Sequence, residues 1–248
     1  MKKYILLIAF SQIFSTNYYV SLIGDDFNGD GTESNPFRSI SRAIYMSSPS
    51  ASNNVNIYVD EGIYSFGTTG DYFPIAIPSY VNVEGSGREL TIIDAEQSAR
   101  VINFINSASS SLSKLTITGG NTANSLNNQT YDAGISILNS SPSILEVDVI
   151  ANTAGWVAGG VGIRNNSSPF FYEVNIIGNS SLQSGGGIHC YDSSAIFENV
   201  VISGNTAEHS GGGFDMYGCT NLEFKNVEVS NNQSMYSGGG IHLNNYDL

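Results

Sequence analysis

The stretch that decides the fold is residues 185–214, which read GGGIHCYDSSAIFENVVISGNTAEHSGGGF. It begins with three glycines and ends with three more followed by Phe214, and between the glycine runs lie two short apolar runs and a turn that contains an asparagine. Similar segments precede and follow it, so the unit recurs through the second half of the 248-residue chain. A period of about 20 to 50 residues is typical of a solenoid, in which each unit forms one coil stacked on the next.

An asparagine recurs at the same place in each copy of the repeat. Asn152, Asn179, Asn205 and Asn232 are separated by 27, 26 and 27 residues. Apolar side chains recur eight, five and three residues before each asparagine, and the last two positions enclose one outward residue. This period of two predicts a β-strand. The apolar residues are, in that order, Ile144, Phe171, Phe197 and Phe224; Val147, Val174, Val200 and Val227; and Val149, Ile176, Ile202 and Val229.

A glycine-rich bend and a second short strand follow each asparagine. The apolar residues that close the glycine runs, Ile163, Ile188, Phe214 and Ile241, are spaced by 25, 26 and 27 residues. Glycine permits the positive φ of a tight bend, which explains its repeated use here. A degenerate earlier copy has glycines at 119–120 and 134, with an insertion between them.

Two solenoid folds have a repeat of this length, the leucine-rich repeat and the parallel β-helix. The segment from Phe197 to Ala207 fits the leucine-rich-repeat template, but that fold returns through a helical segment, and the return here is glycine-rich and strand-like. We therefore predict an all-β chain, a right-handed parallel β-helix with a repeat of 25–28 residues. Its coils stack about 4.8 Å apart, so Phe171, Phe197 and Phe224 are expected to stack in a column and the four asparagines to form a structural ladder.

The chain divides into three predicted parts. Residues 1–16, with Lys2 and Lys3 before an apolar run at 4–10, resemble a secretory signal peptide, the alternative being a buried first strand. Residues 17–100 form an N-terminal cap and irregular first coils, and Asn35-Pro36 predicts the start of a short capping helix with Phe37, Ile40, Ala43 and Ile44 on one face. Residues 101–248 are the regular coils, and the chain stops inside a coil, which indicates a fragment. No transmembrane span is predicted.

The charged residues of the chain argue against one class of partner. The net charge is -13 and only nine residues are Lys or Arg, so no basic face is available to bind nucleic acid.

Cys190 and Cys219 occupy different places in the repeat, so their pairing is doubtful.

A family resemblance rests on particular segments. Residues 18–21 (YYVS), 31–40 (GTESNPFRSI) and 81–87 (VNVEGSG) resemble the N-terminal, uncharacterised domain of secreted bacterial β-helix proteins of the pectate-lyase-like superfamily. Residues 202–207 (ISGNTA) before Gly211 are similar to the repeats of polymorphic outer-membrane proteins. The resemblance covers residues 18–246 and implies a β-helix that is secreted or displayed on the outer surface of a bacterial cell. Because the superfamily includes lyases, hydrolases and non-catalytic binders, it implies no single activity.

One outward face carries candidate ligand-binding residues. Counting two residues after the closing glycine predicts a row of Ser136, Arg164, His189, Asp215 and His242, with Leu138, Asn166, Tyr191, Tyr217 and Asn244 two residues further on. We expect a glycan to contact Arg164, His189, Tyr191, Asp215, Tyr217 and His242, with tyrosine rings under sugar rings. The alternative is a solvated face without a ligand.

The same row supplies the catalytic candidates. Asp215 between His189 and His242 has the groups of an acid–base site, and three such groups suit a metal ion. Asp215 is also expected to favour the protonated form of both histidines and so raise their pKa. Paired aspartates, as in hydrolases of this fold, are absent from the coil sequences, and the coil lysines Lys114 and Lys225 lie in different registers.

A weak calcium motif lies near the N-terminus. Asp26, Asn28 and Asp30, followed by Gly31, form the first half of a calcium loop, but Phe37 stands where the bidentate glutamate would be. The alternative is an Asx-rich turn before the capping helix. No cofactor is required by the sequence, and calcium is the weak candidate.

The combined interpretation is a secreted or cell-surface β-helix protein that acts as a glycan-binding or adhesion module. Its partner would be a polysaccharide or a glycan on a host or cell surface. The alternative is a polysaccharide lyase or glycoside hydrolase that acts on a (poly)uronide. The sequence leaves open whether the protein is an enzyme, although the missing catalytic motifs favour a binding role.

Overall fold

The computed structural model describes residues 14–123 and 131–244. The chain forms a right-handed parallel β-helix of about seven turns, as the repeat predicted. Every strand pairing is parallel, and the strands form three sheets that run along the solenoid. No helix of the described residues is long and apolar enough to cross a membrane.

The largest sheet has eleven strands and carries the apolar positions that precede each asparagine. Its longest strands pair in register from coil to coil, with Phe197 opposite both Phe171 and Phe224. The strands are β1 (Phe14–Val20), β2 (Asn53–Val59), β3 (Gly62–Tyr64), β5 (Val81–Gly85), β6 (Thr91–Asp94), β8 (Ser111–Thr118), β10 (Ser143–Ile150), β13 (Phe170–Tyr172), β14 (Asn175–Ile177), β17 (Ala195–Ser203) and β20 (Leu222–Ser230).

The other two sheets are built from shorter strands. The seven-stranded sheet follows the glycine bends and consists of β4 (Ile75–Ala76), β7 (Ile102–Ile105), β9 (Ile135–Leu138), β12 (Val161–Arg164), β16 (Ile188–Tyr191), β19 (Phe214–Tyr217) and β22 (Ile241–Asn244). The four-stranded sheet follows the asparagines and consists of β11 (Thr153–Ala154), β15 (Ser180–Ser181), β18 (Thr206–Ala207) and β21 (Gln233–Ser234).

The N-terminal region contains both short helices, α1 (Ile40–Met46) and α2 (Phe66–Thr69). The predicted start of the capping helix at Asn35-Pro36 is wrong. Phe37 instead bridges to Val20 as extended chain, and Ser39 caps α1 by accepting a hydrogen bond from the Arg42 N–H. The serine satisfies an amide that would otherwise lack a partner in the first turn.

The predicted leader stays a prediction. Residues 1–13 lie outside the described residues, and residues 14–16 pair with Asn53, Asn54 and Val55 as the beginning of β1. The predicted end of the chain inside a coil falls partly on residues 245–248, which also lie outside the described residues.

The core is a set of side-chain columns, as the register predicted. Phe171 and Phe197 are fully buried, and their rings stack with centroids 4.9 Å apart. Phe224 stacks on Phe197 at 5.4 Å but remains 45% exposed, because no described coil covers its other side. The inward positions identified from the sequence therefore form the core.

The two cysteines form a disulfide, a pairing that the sequence left doubtful. Cys190 points inward from β16, and Cys219 lies two residues after Tyr217, as Ser193 lies two residues after Tyr191 on the previous coil. Ser193 is buried at this corner, so a residue at its place turns toward the interior. The Cα atoms of the two cysteines are 6.4 Å apart, within the range of a disulfide.

Candidate functional site

The site is built on the outward side of the seven-stranded sheet. Strand pairing aligns one position on seven consecutive coils, beginning with Ala76, and we call the six members after Ala76 the polar row. The polar row consists of Asn103, Ser136, Gly162, His189, Asp215 and His242. At about 4.8 Å per coil it extends for about 24 Å.

The structure corrects the predicted place of Arg164. Gly160, not Gly162, is the equivalent of Gly187, so Gly162 takes the row position and Arg164 pairs with Tyr191. A Cβ at Gly160 would lie 2.5 Å from the Gly187 carbonyl oxygen, and a Cβ at Gly187 would lie 2.5 Å from the Gly213 carbonyl oxygen, so these two glycines occupy the same crowded position on successive coils. Asn166, predicted beside Tyr191, lies two residues beyond Arg164 and outside the strand pairing.

Arg164 and the two tyrosines belong to a second row beside the polar row. This flanking row consists of Leu138, Arg164, Tyr191, Tyr217 and Asn244. The rings of Tyr191 and Tyr217 stack on each other, with centroids 5.4 Å apart and planes 5° apart. Each ring thus covers one face of the other, which leaves less aromatic surface for a sugar ring than the sequence predicted.

Asp215 contacts both of its neighbours in the polar row. Its Oδ1 lies 2.7 Å from His242 Nδ1, and its Oδ2 lies 3.4 Å from His189 Nε2. The predicted neighbourhood of these three side chains is therefore present. The exposed fractions of the side chains are 9% for Asp215, 12% for His189 and 27% for His242, so His242 is the most accessible of the three.

Burial changes the titration of this cluster. It lowers the pKa of His189 to about 4, and the nearby Arg164 acts in the same direction. It also raises the pKa of Asp215, against the opposing effects of His242 and His209. The expectation that Asp215 raises the pKa of both histidines is wrong for His189, because the cost of burying a cation exceeds the attraction of the carboxylate.

Asp132 is a site residue that sequence reasoning missed. Its fully buried carboxylate fills the space that a side chain at Gly162 would occupy. It forms an ion pair with Arg164, and Arg100 donates a hydrogen bond to its main-chain oxygen at 2.7 Å. Burial raises the pKa of Asp132, while Arg164 and Arg100 oppose that shift. The polar row thus has a carboxylate on each side of His189.

The side chains of the predicted calcium motif form hydrogen bonds to nearby residues of the N-terminal region. Asp26 accepts hydrogen bonds from the Arg38 and Ser39 N–H groups just before α1, at 2.8 and 3.0 Å. Asp30 accepts from Thr32, and the Asn28 side-chain amide donates to Asp25. Within residues 14–123 and 131–244, no three His, Cys, Asp or Glu side chains are arranged to hold a metal ion.

The family is now identifiable. The model of a family described as "Protein of unknown function (DUF1565)" matches residues 22–247. The match spans most of the chain, which therefore belongs to this family. No curated protein matches the sequence.

Several solved structures are similar in backbone course. A pectin methylesterase from Erwinia chrysanthemi has 16% sequence identity and a TM-score of 0.43, with 84% of this chain and 66% of that chain covered. A rhamnogalacturonan lyase has 12% identity and a TM-score of 0.47, with coverages of 94% and 62%. A pectate lyase has 14% identity and a TM-score of 0.46, with coverages of 95% and 80%. This chain spans less than two thirds of the first two proteins.

Proposed function

We propose that this member of the DUF1565 family is a glycan-binding or adhesion module and that the glycan lies along the seven-stranded sheet. The observation that carries this proposal is the register of the seven-stranded sheet, which aligns the polar row with the partly exposed Arg164, Tyr191 and Tyr217 of the flanking row. Within the polar row, His189 and His242 are partly exposed, while Asn103, Ser136, Asp215 and the nearby Asp132 are buried beneath this face. A row of about 24 Å suits an extended polymer better than a compact metabolite.

The charges of the face support a ligand rich in hydroxyl groups. Arg164 is paired with Asp132, Asp215 with His242, and Arg100 with main-chain oxygens and Asn103. Two arginines and two aspartates balance each other here, although the whole chain carries a net charge of -13. Such a face offers both donors and acceptors, and a sugar hydroxyl can act as either.

We also propose that the protein acts outside the cytoplasm, as a secreted or cell-surface bacterial protein. The disulfide between Cys190 and Cys219 supports this location, because disulfides persist in oxidising compartments. The predicted leader at residues 1–16 supports it as well.

The alternative is a lyase or hydrolase that acts on a polyuronide. Asp132 and Asp215, with a histidine between them in the row, are the observation in its favour, because buried carboxylates are common in acid–base sites. Both arginines of the face already have hydrogen-bond partners, which favours hydroxyl recognition over binding of a uronate carboxylate.

A glycan panel tests the proposal. The purified chain is screened against polyuronides and neutral glycans, and binding and product formation are measured separately. We expect binding without cleavage of the polysaccharide chain, and at least a tenfold weaker affinity for Asp215→Asn, since hydrogen bonds to charged groups contribute about 1.5–3 kcal/mol.

Asp148→Asn is the matched control. Asp148 is also an aspartate in an ion pair, with Arg88 at 3.6 Å, but it lies on the eleven-stranded sheet. Equal loss in both variants, or no binding by the wild type, would contradict the proposed face. Cleavage of a polyuronide would establish the alternative.

A further inference from the structure

Two of the three histidines of the chain contact one carboxylate. His189 and His242 contact Asp215 directly, and His209 is close enough for its charge to lower the pKa of that aspartate. His209 belongs to the loop before the glycine bend, and the neighbouring Gly211 packs against the Asp215 backbone and Cβ. The binding face thus contains a concentrated acid–base cluster at one end.

His242 has the geometry of an oriented base. Asp215 Oδ1 lies 2.7 Å from its Nδ1, and an ionised carboxylate can only accept a hydrogen bond, so the imidazole proton belongs on Nδ1. Nε2 then carries a lone pair. His242 lies on β22, the last described coil, where it is partly exposed and its Nε2 has no hydrogen-bond partner among the described residues. The arrangement holds the imidazole and leaves its basic nitrogen available.

His189 is unsuited to that role. Its Nε2 faces Asp215 at 3.4 Å, and its Nδ1 is buried without a hydrogen-bond partner among the described residues. Neither nitrogen is as accessible as Nε2 of His242. Of the two histidines that touch Asp215, His242 is the one that can reach a bound ligand.

We propose that His242 is a general base positioned by Asp215, and that the chain hydrolyses O-acyl esters on the glycan it binds. The polysaccharide part of this proposal rests on the proposed function. Asp215 is a positioning residue, because it acts through the imidazole.

The reaction needs only water and the ester. His242 Nε2 takes a proton from water as the water oxygen forms a bond to the acyl carbon. The tetrahedral intermediate then breaks its bond to the sugar oxygen, and the protonated Nε2 returns the proton to that oxygen. The products are the free hydroxyl group and the carboxylic acid, so all atoms and electrons are accounted for.

The chemistry of the face favours an ester over the other bonds of a polysaccharide. One base that accepts a proton and returns it is sufficient for ester hydrolysis. Glycosidic hydrolysis needs two carboxyl groups on opposite sides of the bond. Elimination from a uronate needs a cation that neutralises the carboxylate, and Arg164 is already paired with Asp132.

Acyl release is measured with 4-nitrophenyl acetate and with acetylated xylan, using the full chain. His242→Asn keeps an amide where Nδ1 lay but has no counterpart of Nε2, so we expect a loss of about 10²–10⁴-fold in kcat on both substrates. Asp215→Asn should lower kcat on both substrates, and Asp215→Glu, which keeps a carboxylate, should retain more of it, a dependence on the carboxylate that loss of structure would not produce. Asp148→Asn is the control that should retain activity.

The outcomes separate the two proposals. A wild-type protein that binds glycans but releases no acetate from either substrate overturns the esterase inference and leaves the binding function intact. Full activity in a folded His242→Asn variant, verified by circular dichroism, also overturns it. Release from 4-nitrophenyl acetate that depends on His242, without glycan binding, supports the dyad and contradicts the proposed glycan-binding function.

Discussion

Two polar columns run along the same solenoid, and they differ in how their members change from coil to coil. The asparagine column, formed by Asn152, Asn179, Asn205 and Asn232, has one residue type throughout. Its first three members are 0–1% exposed, and each backbone N–H donates to the side-chain oxygen of the next asparagine at 2.9–3.0 Å. The polar row, by contrast, has five residue types on six coils.

The difference separates a structural ladder from the proposed binding surface. A repeated asparagine satisfies the same buried backbone groups on each coil, so any change would leave unpaired donors or acceptors. The polar row pairs its charges by irregular contacts, such as Asp132 with Arg164 and Asp215 with His242, and leaves His189 Nδ1 without a partner among the described residues. The uniform column thus serves folding, and the varied row is the proposed binding surface.

The largest expected effect is on the asparagine column. Asn205→Ala removes the acceptor for the Asn179 N–H and the donor to the Ile176 carbonyl oxygen. Each unpaired buried group costs about 1–3 kcal/mol, so we expect the free energy of unfolding to fall by about 4 kcal/mol. Urea denaturation of the wild type and the variant measures this difference in the free energy of unfolding.

Asp215→Asn provides the contrast in the polar row. The amide keeps the shape of the carboxylate and a hydrogen-bond acceptor, so we expect less than about 1 kcal/mol of change in unfolding free energy. If the two variants lose equal stability, the division between a structural column and a functional row is wrong.

A second expected effect concerns pH and is confined to the polar row. The folded-state pKa of His189 is about 4, below the unfolded value near 6.5, so the unfolded state binds more protons between these values. Stability should therefore fall as pH decreases from about 6.5 to about 4, by about 3 kcal/mol from this group, and then level off.

His189→Gln isolates that contribution, because glutamine does not titrate. The difference in unfolding free energy between wild type and variant is measured from pH 4 to pH 8. A difference that stays constant over this range would show that His189 is not buried as the neutral form. Asp215, whose pKa is raised, contributes in the opposite direction but is present in both proteins.

Much of the fold could be predicted because each coil repeats the same local requirements. Inward positions such as Phe197 and Ile202 must be apolar on every coil, and the asparagine spacings of 27, 26 and 27 residues mark each turn. The row around Asp215 was predicted for the same reason. It follows from counting residues between fixed landmarks in coils that are nearly identical.

The rest of the site lies where the repeat is broken. Because Gly162 follows Gly159-Gly160, counting from it placed Arg164 in the polar row, two residues away from its true register. Val161, Ile188, Phe214 and Ile241 are spaced by 27, 26 and 27 residues, as the asparagines are, and counting from Val161 would have given the correct register. Asp132 follows an insertion, so no periodicity indicates its position. The disulfide depends on a corner side chain that turns inward, which a strand period does not describe.

The smallest expected effect tests whether Asp132 completes the polar row. Gly162 is the row position without a side chain, and a methyl group there would overlap the Asp132 carboxylate. Gly162→Ala should displace that carboxylate, weaken its ion pair with Arg164 and lower the unfolding free energy by about 1–3 kcal/mol, as overpacking usually does.

Gly240→Ala makes the same chemical change on the last described coil, where the nearest described atom to the added methyl is a Val229 side-chain carbon at 3.5 Å. We expect its effect on stability to stay within about 0.5 kcal/mol. Glycan binding should weaken in Gly162→Ala and persist in Gly240→Ala, because only the first moves a group of the proposed face. Equal denaturation midpoints and equal glycan affinities for the two variants would mean that Asp132 does not occupy the row, and that the face has one carboxylate rather than two.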